Sequence, residues 1–199
     1  MKKLIFATTN EGKVAEVKSI LKDLDCDIVS LKDIDLDVDI VEDGNTFEEN
    51  AIIKAKTIME LTNEIVLADD SGLEVDYLNQ SPGIYSARFL GEDTSYTVKN
   101  QYIIDKLADA KGEERSARFI CAVAMACPGE ETITTRGTIE GFIGYEEKGE
   151  NGFGYDPIFY LPEYNCTTAE LSTKKKNEIS HRARALKAMK ETIISKLTK

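Results

Sequence analysis

Histidine is almost missing from this chain: His181 stands alone among 199 residues. That removes the nitrogen-rich ligand set of a typical zinc site. Cysteine does not replace it. Cys26, Cys121, Cys127 and Cys166 show no Cys-x-x-Cys spacing, and three sit in apolar or strand-like surroundings, so buried free thiols are the reading. Long apolar runs are missing as well. Leu4-Ile5-Phe6-Ala7 behind Lys2-Lys3 is too short for a signal-peptide core, and nothing approaches a membrane span. A cytoplasmic protein with no membrane partner is the expectation. Positive charge is scarce: 25 Lys and Arg face 36 Asp and Glu, a formal net charge of −11. Such a field repels nucleic-acid polymers, yet it admits a small anionic ligand wherever a few cations converge. No repeat, low-complexity tract or Pro/Gly/Ser-rich linker divides the chain. With 42% hydrophobic and 31% charged residues it can bury a real core, as one large domain or two closely packed lobes.

What is present centres on Ile65-Val66-Leu67-Ala68-Asp69-Asp70-Ser71-Gly72. The apolar run reads as a short buried strand, and the following Asp-Asp-Ser-Gly reads as a tight turn at its carboxyl end. Ligands of open α/β sheets gather at such ends. Two adjacent carboxylates invite a cation. With nitrogen and sulfur ligands excluded, the expected cation is a hard one, Mg²⁺.

Earlier in the chain, Lys3 to Ala7 reads as a first strand. It is followed by the polar loop Thr8-Thr9-Asn10-Glu11-Gly12 and a helix from Lys13 with apolar residues at Val14, Val17, Ile20, Leu21 and Leu24. Strand, loop and lysine-headed helix make a workable phosphate cradle. It is not a P-loop, because the upstream glycine is missing and Val14 stands where a metal-binding hydroxyl would be. Cys26 to Ser30 reads as a second strand. Asp33, Asp35, Asp37 and Asp39 alternate with Ile34, Leu36, Val38 and Ile40, the pattern of an exposed strand or extended arm with a solvated acidic face. Glu42-Asp43-Gly44 turns the chain. Thr46 and Glu49 form a capping box for a helix to about Leu61, on which Glu49, Asn50 and Lys54 read as ordinary surface.

Further on, Leu73-Glu74-Val75 reads as a return strand, Tyr96 to Ala110 as a helix, and Ala117 to Cys127 as a central strand buried on both faces. Thr132 to Ile139 closes a hairpin with it. Asn151-Gly152-Phe153-Gly154-Tyr155-Asp156-Pro157 is costly as a mere connection, since glycines lose backbone entropy and aromatics prefer burial; the type often marks a wall for a flat ligand. Lys174, Lys175 and Lys176 precede a terminal helix whose first turn carries Ser180-His181-Arg182, a candidate anion pocket.

Taken together these pieces resemble one family, the inosine/xanthosine triphosphate pyrophosphatases (HAM1-like). The resemblance is carried by Thr8-Thr9-Asn10-Glu11-Gly12-Lys13, Thr46-Phe47-Glu48-Glu49-Asn50-Ala51 with Lys54, and Ala68-Asp69-Asp70-Ser71-Gly72-Leu73. Pro82-Gly83-Ile84-Tyr85-Ser86-Ala87-Arg88, Gly152-Phe153-Gly154-Tyr155-Asp156-Pro157 and Ala169-Glu170-Leu171 through Ser180-His181-Arg182 complete it. All six occur in the family's order. Thr9 departs from it, since many bacterial members have glycine there. The resemblance implies an elongated α/β fold over 1–199, a curved mixed sheet flanked by helices, two lobes with a nucleotide cleft between them, and a homodimer. It implies Mg²⁺-dependent hydrolysis of ITP, dITP or XTP to the monophosphate and pyrophosphate. On the family pattern Asp70 is the catalytic carboxylate and a metal ligand, Glu42 the second ligand, and Asp69 a lesser one. Thr8, Thr9, Asn10, Glu11, Gly12 and Lys13 would hold phosphates and Ser71 the nucleotide. Phe153 would stack on the base with Gly154, Tyr155 and Asp156 around it. Lys176, His181 and Arg182 would make the remaining substrate contacts, with Lys54 and Arg88 as further phosphate contacts. Two rivals stay open on the residues alone: a metal-dependent phosphatase releasing orthophosphate, and a nucleotide-binding module without activity.

Overall fold

The computed structural model describes residues 2–198. Lys2–Phe6 (β1) pairs in parallel with Cys26–Ser30 (β2) and with Val66–Val75 (β3). The remaining strands are Ser81–Pro82 (β4), Ser116–Ala126 (β5), Ile133–Ile143 (β6), Phe159–Leu161 (β7) and Cys166–Thr167 (β8). They form one mixed sheet in the order β2-β1-β3-β5-β6-β7-β8, with β4 antiparallel on β3. Helices are Glu11–Ile20 (α1), Phe47–Thr62 (α2), Tyr96–Lys106 (α3), Thr173–Ile179 (α4) and His181–Thr198 (α5). No described helix is long and apolar enough to cross a membrane.

Contacts divide the chain into two compact units. The first comprises 1–70, 121–137 and 181–199. Its core joins Leu4 and Phe6 of β1, Val17 of α1 with Leu21 just past its end, Val123 and Met125 of β5, and Leu186, Met189 and Ile193 of α5. The second comprises 71–120 and 138–180. Its core joins Leu73 and Val75 of β3, Ile103 of α3 with Leu107 just past its end, Phe119 of β5, and Ile139, Ile158 and Phe159.

The local patterns explain most elements. Thr46 Oγ1 accepts from Glu49 N at 3.1 Å, and Glu49 answers by accepting from Asn45 N at 2.6 Å, so α2 starts where the capping pair predicts. It ends at Asn63, which takes the left-handed conformation at φ 53°. Buried positions along β5 are continuous from Phe119, as a strand covered on both faces requires. The acidic segment at 33–40 is an unpaired arm: a 3-10 turn at Lys32–Ile34 leads into irregular chain, with its four aspartates exposed and the intervening apolar residues half-buried. A period of two reports alternating exposure, and no partner strand is needed to produce it.

Three expectations change. Asp69-Asp70-Ser71-Gly72 is not a turn: β3 runs unbroken through it, so the expected return strand at 73–75 is its second half. The single C-terminal helix is two, α4 and α5, because Ser180 leaves the helical region with ψ 162°. Asn50 and Lys54 are not surface residues; α2 buries both.

Gly137 of β6 sits where α5 begins. A Cβ there would lie 2.2 Å from His181 O and 2.5 Å from Ala185 N, both backbone atoms that cannot swing aside. Gly137→Ala is expected to lower stability by about 1–3 kcal/mol, the scale of overpacking, read as a fall in the urea midpoint with unchanged m.

Candidate active site

In the first unit the chain leaves β1 at Phe6 and reaches α1 through a short polar loop. Asn10 caps α1, its Oδ1 accepting from Lys13 N at 3.1 Å, while Thr8 Oγ1 accepts from Asn10 N at 3.2 Å. Thr9, Asn10 and Glu11 are exposed, and Gly12 and Lys13 half-buried. The helix therefore begins two residues before Lys13, and the first-turn N–H groups open beside an exposed loop. Glu11 turns its carboxylate to Lys32 at 2.7 Å, which leaves the loop backbone as its contribution.

Alternation along β3 sends its two aspartates to different partners. Asp69 is 2% exposed. Its Oδ1 accepts from Lys13 Nζ at 3.0 Å, and its Oδ2 accepts from Arg182 Nη2 at 2.8 Å and Nε at 3.1 Å. Arg182, 1% exposed, also donates to buried Glu16, and Cys121 Sγ lies 3.7 Å from Asp69 Oδ2. Burial pushes the Asp69 carboxyl up, but the charges of Lys13, Arg182 and Lys54 outweigh it and hold the group well below the usual carboxylate range. Burial likewise pulls Arg182 down, and Asp69 and Glu16 more than restore its proton. The Cys121 thiol is pushed up, by burial first and by Asp69 second.

Asp69 thus places both oxygens on protein cations, and the Arg182 guanidinium lies buried between two carboxylates. His181, at the head of α5, is also buried.

Asp70 faces α2. Its Oδ1 accepts from Lys54 Nζ at 3.3 Å and its Oδ2 from Asn50 Nδ2 at 3.2 Å. Lys54 Nζ also donates to Glu42 Oε2 at 2.7 Å, so two carboxylates from separate parts of the sequence meet on one ammonium. Burial raises the Asp70 pKa above its ordinary value, Lys54 and Lys13 pull it back, and Glu42 adds to the rise. For Lys54, burial favours loss of the proton, and Asp70 and Glu42 outweigh it.

Two carboxylate oxygens converging on a cation position, with no soft donor among them, fit a hard divalent ion. Among the described residues no group of three or more His, Cys, Asp or Glu is arranged to hold a metal. The protein would thus supply two carboxylates and leave the other positions to phosphate oxygens and water, which is how magnesium is usually held.

In the second unit Gly152 and Gly154 take φ of 76° and 69°, the left-handed region that glycine enters without strain. They fold the 151–157 loop around Asp156. Asp156 Oδ2 accepts from Phe153 N at 2.8 Å and from Lys176 Nζ at 2.5 Å, and Oδ1 accepts from Thr168 Oγ1 at 2.9 Å. Lys176 Nζ sits 4.8 Å from the Phe153 ring centroid, a cation–π contact on one face of that ring. Phe153 and Gly154 stay half-exposed. Tyr155 is buried, its hydroxyl donating to Ser86 O at 2.8 Å and its ring edge-on to Tyr96. Asp156 and Tyr155 therefore build the loop, and Phe153 is the residue it presents. Ser71 is half-buried in β3, and Arg88 lies over the Tyr85 ring at 4.9 Å.

The residues that sequence reasoning missed are Glu16, Asn50 and Cys121. Asn50 precedes Lys54 by one helical turn and so shares its face, a signal that was available. Glu16 carried none, because its partner is 166 residues away.

Taken separately, the first unit holds a convergent carboxylate pair beside a capped helix start, and the second holds a presented aromatic ring backed by an ammonium. With the mixed sheet they belong to an α/β protein. The sequence model of the Ham1 family matches residues 4–192, and the chain belongs to that family. Among similar proteins, a dITP/XTP pyrophosphatase of Bacillus licheniformis is 52% identical over 95% of this chain and 96% of its own length. That of Bacillus subtilis is 47% identical over 97% and 98%. The solved Staphylococcus aureus Ham1 protein aligns with TM-score 0.86 at 40% identity, covering 98% of this chain and all of its own.

Proposed function

We propose that the chain hydrolyses deaminated purine nucleoside triphosphates, dITP, XTP and ITP, to the monophosphate and pyrophosphate. The carrying observation is the convergence of Glu42 and Asp70 on one cation position, in a chain about half identical to full-length relatives named for this activity.

In this reading the 8–13 loop and the α1 start bind phosphate oxygens through backbone N–H groups, with Lys13 and Lys54 adding charge. Glu42 and Asp70 would hold the magnesium ion. When bound, that ion neutralises phosphate oxygens and makes water a better nucleophile. Asp70 receives the proton of the attacking water on a carboxylate oxygen. Asp69, ionised throughout, fixes Lys13 and Arg182 instead. Ser71 bonds the nucleotide, and Phe153 stacks on its base with Lys176 behind it.

Specificity follows from donor–acceptor matching. Hypoxanthine and xanthine present a carbonyl at C6 where adenine presents an amino donor, so donors placed for the first are left facing a donor in the second. Steady-state kcat/KM for dITP, XTP, ITP, GTP and ATP tests this. The expected result is at least ~10²-fold preference for the deaminated purines over ATP, a floor below the ~10⁴–10⁵ by which a site built around a substrate hydrogen bond rejects an unmatched analogue. Equal rates on ATP would remove it.

Phe153→Ala is expected to weaken nucleotide binding by about 1–3 kcal/mol, the range of base–aromatic stacking. It should appear in KM, and an unchanged KM would end the stacking role. A homodimer completes the proposal on the strength of the family resemblance, and sedimentation at micromolar concentration tests it.

A further inference from the structure

We infer that Asn50 is a positioning residue for this reaction, fixing the 42–44 segment against Asp70 so that Glu42 and Asp70 face the same cation. The inference rests on the function proposed above. Asn50 is wholly buried on α2, where a carboxamide is costly unless both its ends are satisfied. Both are. Its Oδ1 accepts from Gly44 N at 2.9 Å, and its Nδ2 donates to Asp70 Oδ2 at 3.2 Å. The amide cannot be turned round, because Gly44 N–H can only donate and an ionised carboxylate can only accept.

Gly44 supplies a second observation. A Cβ there would stand 2.7 Å from Asn50 Oδ1 and 2.7 Å from Glu49 Cβ, so the backbone approaches α2 as closely as a missing side chain permits. The requirement is space rather than a left-handed backbone.

The arrangement is a double bridge. Asn50 and Lys54 lie one turn apart on the same helix face and grip Asp70 by different oxygens. The same two residues grip the preceding segment, Lys54 at Glu42 and Asn50 at Gly44. The Lys54 link is an ion pair, and any arriving cation or phosphate competes with it. The Asn50 link is a directional bond between a neutral amide, a backbone N–H and one carboxylate oxygen, so it persists when the charges are redistributed. Residues 36–44 belong to no helix or strand, so this bond gives the Glu42 end a fixed distance from β3.

The test uses the full chain with Asn50→Leu, close in volume and without polar atoms, and Asn50→Ala, which leaves room for water. Three quantities are read: Mn²⁺ affinity of the nucleotide-free protein by electron paramagnetic resonance, kcat and KM for dITP, and the melting temperature without metal. Loss of a bond that orients a metal ligand typically costs ~10-fold or more. The expected result is that much loss in Mn²⁺ affinity and in kcat for both variants. KM should change by no more than about threefold, since the base and phosphate contacts remain. Recovery of part of the lost kcat in Asn50→Gln, which keeps the amide, also supports the role. Mn²⁺ affinity and kcat within about twofold of the parent would overturn it. So would a loss of activity that only follows the unfolded fraction. If the unmutated protein neither binds Mn²⁺ nor releases pyrophosphate, the proposed function fails and takes this inference with it. If it does both and the variants match it, the inference fails alone.

Discussion

Asp70→Asn is expected to slow dITP hydrolysis by at least ~10²-fold, the low end for a lost acid–base group, and by more where cation binding is lost as well. Asparagine keeps the shape, and its single oxygen can still accept from Lys54 or from Asn50, though not from both, since the two donors meet different oxygens. It removes the charge that draws the cation and the basic oxygen that takes the proton. The same substitution should not weaken the metal-free fold at neutral pH. Burial raises the folded pKa of Asp70, so its contribution to stability is present below the unfolded value near pH 4 and lost as pH rises through the folded value. Wherever Asp70 is ionised, the fold carries a charge it would prefer not to bury. A large loss of activity with an unchanged or higher urea midpoint is the combination that assigns Asp70 to chemistry. A variant that keeps activity within about tenfold would deny it that role.

Asp69→Ala should do the opposite. Removing this carboxylate leaves Arg182 buried with one of its two anionic partners gone and frees Lys13 from its anchor. Breaking a buried ion pair at one end costs about 3–5 kcal/mol, measurable as a shift in chemical denaturation. The pH dependence has the reverse sign to that of Asp70. Burial opposes its ionisation, Lys13 and Arg182 prevail, and the folded pKa is depressed. Its contribution is present above the unfolded value near pH 4 and lost as pH falls towards the folded one. In Asp69→Asn the acid limb of the stability curve should flatten. A limb that matches the parent's would show that the Asp69 charge is not held by these partners.

The adjacent aspartates also show where sequence reading stops. Alternation in an extended chain already separates them onto two faces, and the family pattern selects Asp70. Nothing local shows that β3 continues through Asp69, Asp70, Ser71 and Gly72, because carboxylates and glycine are poor strand formers. The strand persists because cations reach it from afar: Arg182 lies 113 residues from Asp69, and Lys13 lies 56 before it. For the same reason Arg182 resembles a solvated helix-start residue until Glu16 and Asp69 are seen around it. The α2 boundaries, β2 and the buried run of β5 were legible because caps and periodicity act within a few residues. The glycine–aromatic loop stood out by composition as more than a plain connection. That Asp156 is its internal brace depends on Thr168 and Lys176, which local pattern does not place beside it.

The most direct test is product identity. The purified protein is incubated with dITP and Mg²⁺, and both products are quantified by anion exchange. The account predicts dIMP and pyrophosphate in equal amounts with no orthophosphate, a signal that disappears in Asp70→Asn. Orthophosphate as the sole product, or binding without turnover, would contradict it.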